Sequence, residues 1–304
     1  QQIFKGEDAV ELPEDSYHGE DIKERAQQFA DVYGDEYMNK SEDERRKALV
    51  EFALPKNIDN MKANMAKYRI EYKTWFKESI LHDSGAVKEV IEYLTNKGLT
   101  YEKDGAVWYN NIKVQTEMLT RQGKTQEEID KLELKDDVLI RQNGNPTYFA
   151  ADIAYHKNKL VTRGFDKAIN IWGADHHGHV ARMKGVLEAL DLDSDRLDVI
   201  LMQLVRLTRD GEVVRMSKRT GKAITLVDLL EDIPVDAVRF LFNMREPGSQ
   251  MDFDLDLAVE QSSQNPVYYC QYANARIHSI LRKIEADGVT VRDCTKDELK
   301  LLTA

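Results

Sequence analysis

Two short apolar runs separated by a helical pattern constrain this chain most. Residues 168–172 (AINIW) and 199–207 (VILMQLVRL) are apolar enough to be buried strands. Between them, residues 179–190 set Val180, Met183, Leu187 and Leu190 on one helical face. Apolar strands alternating with helices predict an α/β fold with a parallel sheet covered on both sides. Ligands of such sheets lie at the carboxyl ends of the strands. Two polar segments follow the apolar runs: GADHHGHV at 173–180 and RMSKR at 215–219, the latter with room for an intervening hairpin. There is no Gly-rich dinucleotide fingerprint and no Walker loop.

The second segment belongs to a basic concentration, Arg206, Arg209, Arg215, Lys218, Arg219 and Lys222, in a chain whose net charge is −11. That balance excludes coating of nucleic acid by bulk electrostatics, but it allows a local basic surface. Lys218 and Arg219 are mobile charges, Gly221 lets backbone amides approach phosphate, and Thr225 starts the next helix. In the first segment a metal reading of the three histidines lacks a fourth ligand at a suitable spacing. A nucleotide pocket fits better: Gly173 permits close approach, and His176 and His179 lie one turn apart, facing one ligand, with His177 turned away. Tyr148 and Asp152, four residues apart, share a helix face. A carboxylate beside an aromatic ring suits a guanidinium, although by itself Asp152 reads as an ordinary surface acid.

The remaining organisation follows from periodicity and punctuation. Ile22, Ala26, Phe29, Ala30 and Tyr33 predict a helix stopped by Gly34, and Ser41 with Glu44 predicts a capped helix ended by Pro55. The stripe Met61, Met65, Tyr68, Tyr72 and Phe76 reads as core packing. Val87, Val90, Ile91 and Leu94 mark a helix closed by Gly98, followed by a hairpin around Asp104-Gly105. Residues 121–134 read as an exposed loop or helix, 138–140 as a strand running into the turn 143–146, and 148–160 as a helix. After Pro234 the pattern is all helical, with pieces at 236–242 and 266–284, which sets a boundary near Pro234. No apolar window approaches the roughly 18 residues of a membrane span. Cys270 and Cys294 have no metal-type spacing and fit a reduced cytoplasmic setting better than a disulfide framework. Gln1 at the start and LKLLTA at the end suggest a piece of a longer chain.

RMSK resembles the KMSK signature of class I aminoacyl-tRNA synthetases, and DAVR at 236–239 resembles the DALR signature of the arginyl and cysteinyl branches. NPTYFAADIAYH, INIWGADHHGHVARM and NPVYYCQYANARIHSIL are similar to arginyl-tRNA synthetase; the resemblance is strong over residues 68–281 and weak in the first fifty. It implies a partial Rossmann-type catalytic domain with an insertion over 1–234, then the truncated start of an all-α anticodon-binding bundle over 235–304. It also implies an enzyme, an arginine–tRNA ligase of the cytoplasm that activates L-arginine with ATP and transfers it to tRNA(Arg). Mg²⁺ would accompany ATP, and neither a structural metal nor a membrane is involved. Carried over residue by residue, Lys218, Arg215 and Ser217 serve catalysis, Lys218 by engaging the phosphates as pyrophosphate leaves. Glu78, Tyr148, Asp152 and His176 bind arginine. Gly173, Asp175, His179 and Met216, with Lys218, bind ATP, while Arg239, Tyr269 and Arg276 face tRNA.

The chain departs from the family pattern in two places. Arg215 stands where the signature has lysine, which keeps the charge and changes the geometry. The HIGH signature is absent; HHGH at 176–179 comes too late in the sheet for that role, so a fragment lacking the amino-terminal part is expected, one inactive alone. Two alternatives stay open. Cysteinyl-tRNA synthetase shares a DALR-like domain, but it selects a thiol through zinc ligands that Cys270 and Cys294 are poorly placed to supply. A synthetase-derived module could also hold RNA or a partner without catalysis.

Overall fold

The computed structural model describes residues 20–214, 224–290 and 292–301. Contacts divide the chain into two units, Gln1–Lys73 with Lys222–Val235, and Thr74–Gly221 with Asp236–Ala304. In the first unit, α1 (Glu20–Tyr33) ends as its spacing predicts, at Gly34, whose φ of +56° lets its N–H reach the Ala30 carbonyl at 2.8 Å. The Ser41/Glu44 capping box starts α2 (Glu42–Lys67), but Pro55 does not end it: the proline sits inside the helix. Ring contacts of Phe52 with α1 anchor the turn just before it, so the helix resumes past the one missing N–H. The apolar centre of this unit is the ring cluster Phe29, Tyr33, Tyr37 and Phe52, with centroids 4.6–5.9 Å apart. Of the predicted stripe, Met61 and Tyr72 are exposed and Met65 and Tyr68 half-buried, while Phe76 packs against the core of the second unit.

The second unit begins with α3 (Ser79–Asp83) and α4 (Ala86–Asn96), which bury Leu81, Val87, Val90, Ile91 and Leu94. The chain turns out of α4 at Gly98 and enters the antiparallel hairpin of β1 (Thr100–Lys103) and β2 (Ala106–Tyr109). Asp104 and Gly105 both have positive φ, the turn whose twist matches a hairpin. Helices α5 (Asn111–Arg121) and α6 (Gln126–Asp130) follow; the polar stretch is pinned by one buried side chain, Ile129. Strand β3 (Asp137–Ile140) pairs antiparallel with β2. Capped by Thr147, α7 (Tyr148–Lys157) runs into a π turn, Asn158–Thr162. Next come β4 (Ala168–Gly173), α8 (His177–Ala189) and β5 (Leu197–Met202), and β4 and β5 pair in parallel from Ala168↔Leu197 to Gly173↔Met202.

Three expectations need correction. Among the described residues the parallel sheet has two strands, and only one face of β4 is covered: Ala168 and Asn170 are buried, while Ile169 and Ile171 are 61% and 69% exposed. The 199–207 run is not one strand. After Met202 the Gln203 N–H turns to the Pro247 carbonyl at 3.0 Å, and β6 (Val205–Arg209) joins a different sheet. There it lies antiparallel to β7 (Glu212–Val214) and parallel to β8 (Met251–Asp254). The segment after Pro234 is therefore not all helical. Short acidic β8 is held by buried Phe253, whose ring lies 5.2 Å from that of Phe242. The other elements are helices: α9 (Leu226–Asp232) of the first unit, started by the Thr225/Asp228 box, then α10 (Val235–Asn243), α11 (Leu255–Val259), α12 (Pro266–Ala286) and α13 (Lys296–Leu299).

The main core joins α4, α7, α8, β4 and β5, with Leu94, Ile153, Met183, Leu187 and Leu197 fully enclosed. Polar ties run through it. Asn170 Nδ2 on β4 donates to His156 Nε2 on α7 at 2.6 Å, and Lys159 Nζ on the π turn donates to Asn170 Oδ1 at 2.8 Å. Arg196, just before β5, donates to the carbonyls of Leu160, Phe165 and Asp166 at 2.5–3.0 Å, satisfying the backbone between the π turn and β4.

Removing that guanidinium strands several carbonyls at once. Arg196→Ala should lower unfolding stability by about 2 kcal/mol in urea titrations. Lys88→Ala, which breaks the exposed Lys88–Glu92 pair, should shift it by no more than about 0.5 kcal/mol. Burial, helped by the Lys159 charge, pushes His156 down to about 4. Its folded pKa lies below the unfolded value, so the unfolded state takes up a proton first as pH falls. Stability is unaffected above about pH 6.5 and should drop by on the order of 3 kcal/mol between there and pH 4. Thermal unfolding of wild type and His156→Gln across that window measures the difference; equal slopes would show that His156 does not carry it.

Candidate active site

The carboxyl end of β4 is the meeting point of α7 and α8. Asp152 lies on the middle turn of α7 and His179 on the first turn of α8, and His179 Nε2 stands 3.4 Å from Asp152 Oδ2. His179 is 15% exposed at its side chain, enclosed by Phe149, edge-on at 5.5 Å, and Trp172 at 5.1 Å. Asp152 is about half exposed, so its carboxylate is accessible to solvent beside that enclosed imidazole. Phe149 is backed by the Arg182 guanidinium, 6.0 Å from the ring, which donates to Asp137 at 2.6 Å. Burial pushes the Asp137 carboxyl up despite that arginine, and its Oδ2 has no hydrogen-bond partner among the described residues.

One residue beyond Trp172, the strand end opens on a cavity. This cavity of about 520 Å³ lies at the ends of β4 and β5, lined by Gly173, Ala174, Asp175, Met202, Gln203, Leu204, Arg206 and Gln250. A Cβ at Gly173 would meet the Asp175 carboxylate, an exposed side-chain end with room to swing aside. Trp172 thus packs on His179, and Gly173, the next residue, lines the cavity.

The predicted residues divide accordingly. Asp152 and His179 meet, and Gly173 and Asp175 share the cavity. His176 is exposed, 3.6 Å from Asp175, whereas His179 is mostly enclosed. The short 3₁₀ turn Ala174–His176 leads into α8, with His176 as its N-cap and His179 on its first turn. Tyr148 is 77% exposed, with the Arg141 guanidinium 5.8 Å from its ring. Glu78 Oε1 lies 3.7 Å from His82 Nε2, one turn along. Arg239 is half-buried on α10; Tyr269 and Arg276 are exposed on α12, with Arg276 3.1 Å from the Tyr272 hydroxyl. Arg215, Met216, Ser217 and Lys218, like Arg219, Gly221 and Lys222, lie outside the described residues. Arg206 is committed elsewhere in the basic cluster: its guanidinium forks onto Asp252 at 2.6 and 2.9 Å.

Sequence reasoning missed Phe149 and Trp172 as the rings that enclose His179, and the polar residues behind them. His156 carried a usable signal, since it sits four residues after Asp152 and shares its helix face. Asn170 carried none, being one amide in an apolar strand.

No family model matches the chain. Over 96% of its length it is 56% identical to an arginine–tRNA ligase of Caldanaerobacter subterraneus subsp. tengcongensis, covering 49% of that protein. Over 99% it is 50% identical to the ligase of Ruminiclostridium cellulolyticum, covering 50% of it. The chain spans about half the length of the curated relatives it matches. A solved arginyl-tRNA synthetase from Campylobacter jejuni matches with a TM-score of 0.78 at 33% identity, over 99% of this chain and 62% of that one. The Thermus thermophilus arginyl-tRNA synthetase, at 20% identity and a TM-score of 0.60, covers 86% of this chain and 51% of that one and shares the fold alone. Half-identical sequence along essentially the whole chain, with the Campylobacter fold beneath it, makes this chain a member of the arginyl-tRNA synthetase family.

Proposed function

We propose that these residues serve an arginine–tRNA ligase: they receive L-arginine at Asp152 and ATP at the adjoining strand-end cavity, and the product is passed to tRNA(Arg). The observation that carries this reading is the half-exposed Asp152 carboxylate, backed at 3.4 Å by a mostly enclosed His179. A guanidinium is planar and forks onto carboxylate oxygens, and an accessible, oriented carboxylate answers that demand. His179 holds Oδ2 and leaves Oδ1 open to a substrate. Tyr148, Glu78 and His176 flank this end; Gly173 and Asp175 border ATP, with His179 between the two substrates and Mg²⁺ arriving as the nucleotide's counter-ion.

In activation, a carboxylate oxygen of arginine bonds to the α-phosphorus as the bond to pyrophosphate breaks. Charge grows on the departing phosphates, and Lys218, flanked by Arg215, Met216 and Ser217, supplies the cation that meets it. Residues 1–234 are assigned to a Rossmann-type catalytic domain with an insertion. Residues 235–304 open the anticodon-binding helical domain, where Arg239, Tyr269 and Arg276 would touch RNA phosphates and bases. Among the described residues no helix is long and apolar enough to cross a membrane; a cytoplasmic setting is part of the proposal.

In a synthetase of the relatives' length carrying this segment, Asp152→Asn should raise the KM for arginine roughly a hundredfold and leave that for ATP unchanged. Wild type should refuse citrulline, whose side chain lacks the charge, by on the order of 10⁴. Equal use of citrulline and arginine would end the assignment. Lys218→Ala should slow single-turnover adenylate formation by about a hundred- to a thousandfold at unchanged arginine affinity. A wild-type rate in rapid-quench assays would remove Lys218 from the reaction.

A further inference from the structure

We infer that His156, Asn170 and Lys159 are positioning residues for the arginine site, forming a buried hydrogen-bond chain that ends on the backbone carbonyl of Asp152. This rests on the reading of Asp152 as the guanidinium partner.

The donors and acceptors of the chain agree in only one arrangement. Lys159 Nζ has donors alone, so the Asn170 atom 2.8 Å away is the acceptor Oδ1. That fixes the amide, whose Nδ2 then donates to His156 Nε2 at 2.6 Å. With Nε2 accepting, the imidazole proton sits on Nδ1 and is donated to the Asp152 carbonyl at 2.7 Å. A neutral ring is required throughout, in keeping with burial driving His156 down to about 4. Every side-chain polar atom so named has a partner, and the three links join the π turn, β4 and α7.

The placement of the chain gives it a use beyond holding the core together. His156 and Asn170 are buried among apolar neighbours, where a leucine pair would pack without the cost of burying polar groups. Directional bonds specify what apolar packing does not: the height and rotation of α7 against β4. Asn170 and Trp172 alternate onto the same strand face, so α7 is registered against the face whose Trp172 packs on His179, the neighbour of Asp152. The outer link comes from the start of the π turn. Lys159, four residues after Tyr155 and so on the same helix face, lies over the Tyr155 ring at 4.7 Å and within reach of Asn170. Tyr155 is itself stacked on Phe76 at 4.6 Å.

The test uses the same full-length synthetase and compares Asn170→Leu, Lys159→Met, His156→Gln and Asp152→Asn. Asn170→Leu should raise the KM for arginine by about tenfold, with kcat and the KM for ATP changed less than about threefold. A role confined to stability would move none of these in the folded fraction. Lys159→Met, which cuts only the outer link, should give a smaller rise in the same parameter and serves if Asn170→Leu fails to fold. His156→Gln, whose carboxamide can accept from Asn170 and donate to the carbonyl, should restore near-wild-type arginine KM. If Asp152→Asn raises the arginine KM while Asn170→Leu and Lys159→Met leave it untouched, the positioning role is overturned and the arginine site stands. If Asp152→Asn leaves it untouched, the arginine reading falls, and this inference with it.

Discussion

The seat of α7 on β4 governs where the candidate side chains come to lie. Helix α7 carries Tyr148, Phe149 and Asp152, β4 ends in Trp172 and Gly173, and α8 starts a few residues later and brings His179. Advancing α7 by a single residue would turn Asp152 by about 100° and move it about 1.5 Å along the axis, away from His179. Apolar burial by Ala150, Ile153 and Ala154 favours contact without dictating that register, because it is nearly non-directional. The bond from Asn170 to His156 is directional, and it sits one turn from Asp152. Positional accuracy at the site thus comes from a polar pair in the core, and the bulk of the binding energy between the elements from its apolar surroundings.

Local devices were legible in the sequence because each is a short-range constraint. The Ser41/Glu44 box, the Gly34 and Gly98 stops and the Asp104-Gly105 turn depend on backbone angles and neighbouring donors, and all form as read. What failed depends on distant residues. The 199–207 run looks continuous because every side chain in it suits a strand. It is cut by a bond from Gln203 to Pro247 and by a partner strand, β8, some forty residues away. That partner was hidden by its own chemistry: MDFD is short and acidic, and its pairing is fixed by Phe253 inside and by Asp252 matched to Arg206 outside. At the site, Asp152 and Gly173 could be picked out as residue types suited to a guanidinium and a close backbone approach. Trp172 and Asn170 could not, since a strand of AINIW gives no hint of which side chains meet a ligand-facing helix.

The same long-range pairing changes how the basic residues are to be counted. A tally by sequence gathers Arg206 with the lysines and arginines that follow it, yet its guanidinium is forked onto Asp252 and presents little net charge. Arg182 is likewise spent on Asp137, and Arg196 on backbone carbonyls. In a chain of net charge −11, many cations are structural fasteners. A polyanion would meet the fewer that are not, so a charge count along the sequence overstates the attractive field.

The outer face of the β4–β5 pair shows how composition and geometry part company. Both strands are apolar on alternate and intervening positions alike, the pattern of a strand buried on two sides. Within its unit one side is covered, by the polar tie to α7 and the packing of α8, while Ile169, Ile171, Ile200 and Met202 open outward together. Aliphatic side chains left in water each forgo about 1.5–3 kcal/mol of burial, and grouped they make a strip larger than scattered surface residues would. β4 is also unpaired on its other edge among the described residues. Strand composition reports the burial its side chains are suited to, and the fold meets part of that burial within this unit. On these two strands the gap is confined to this single face, and the Asp152–His179 pair and the cavity at Gly173 lie at the strand end beside it, where β4 leaves the sheet.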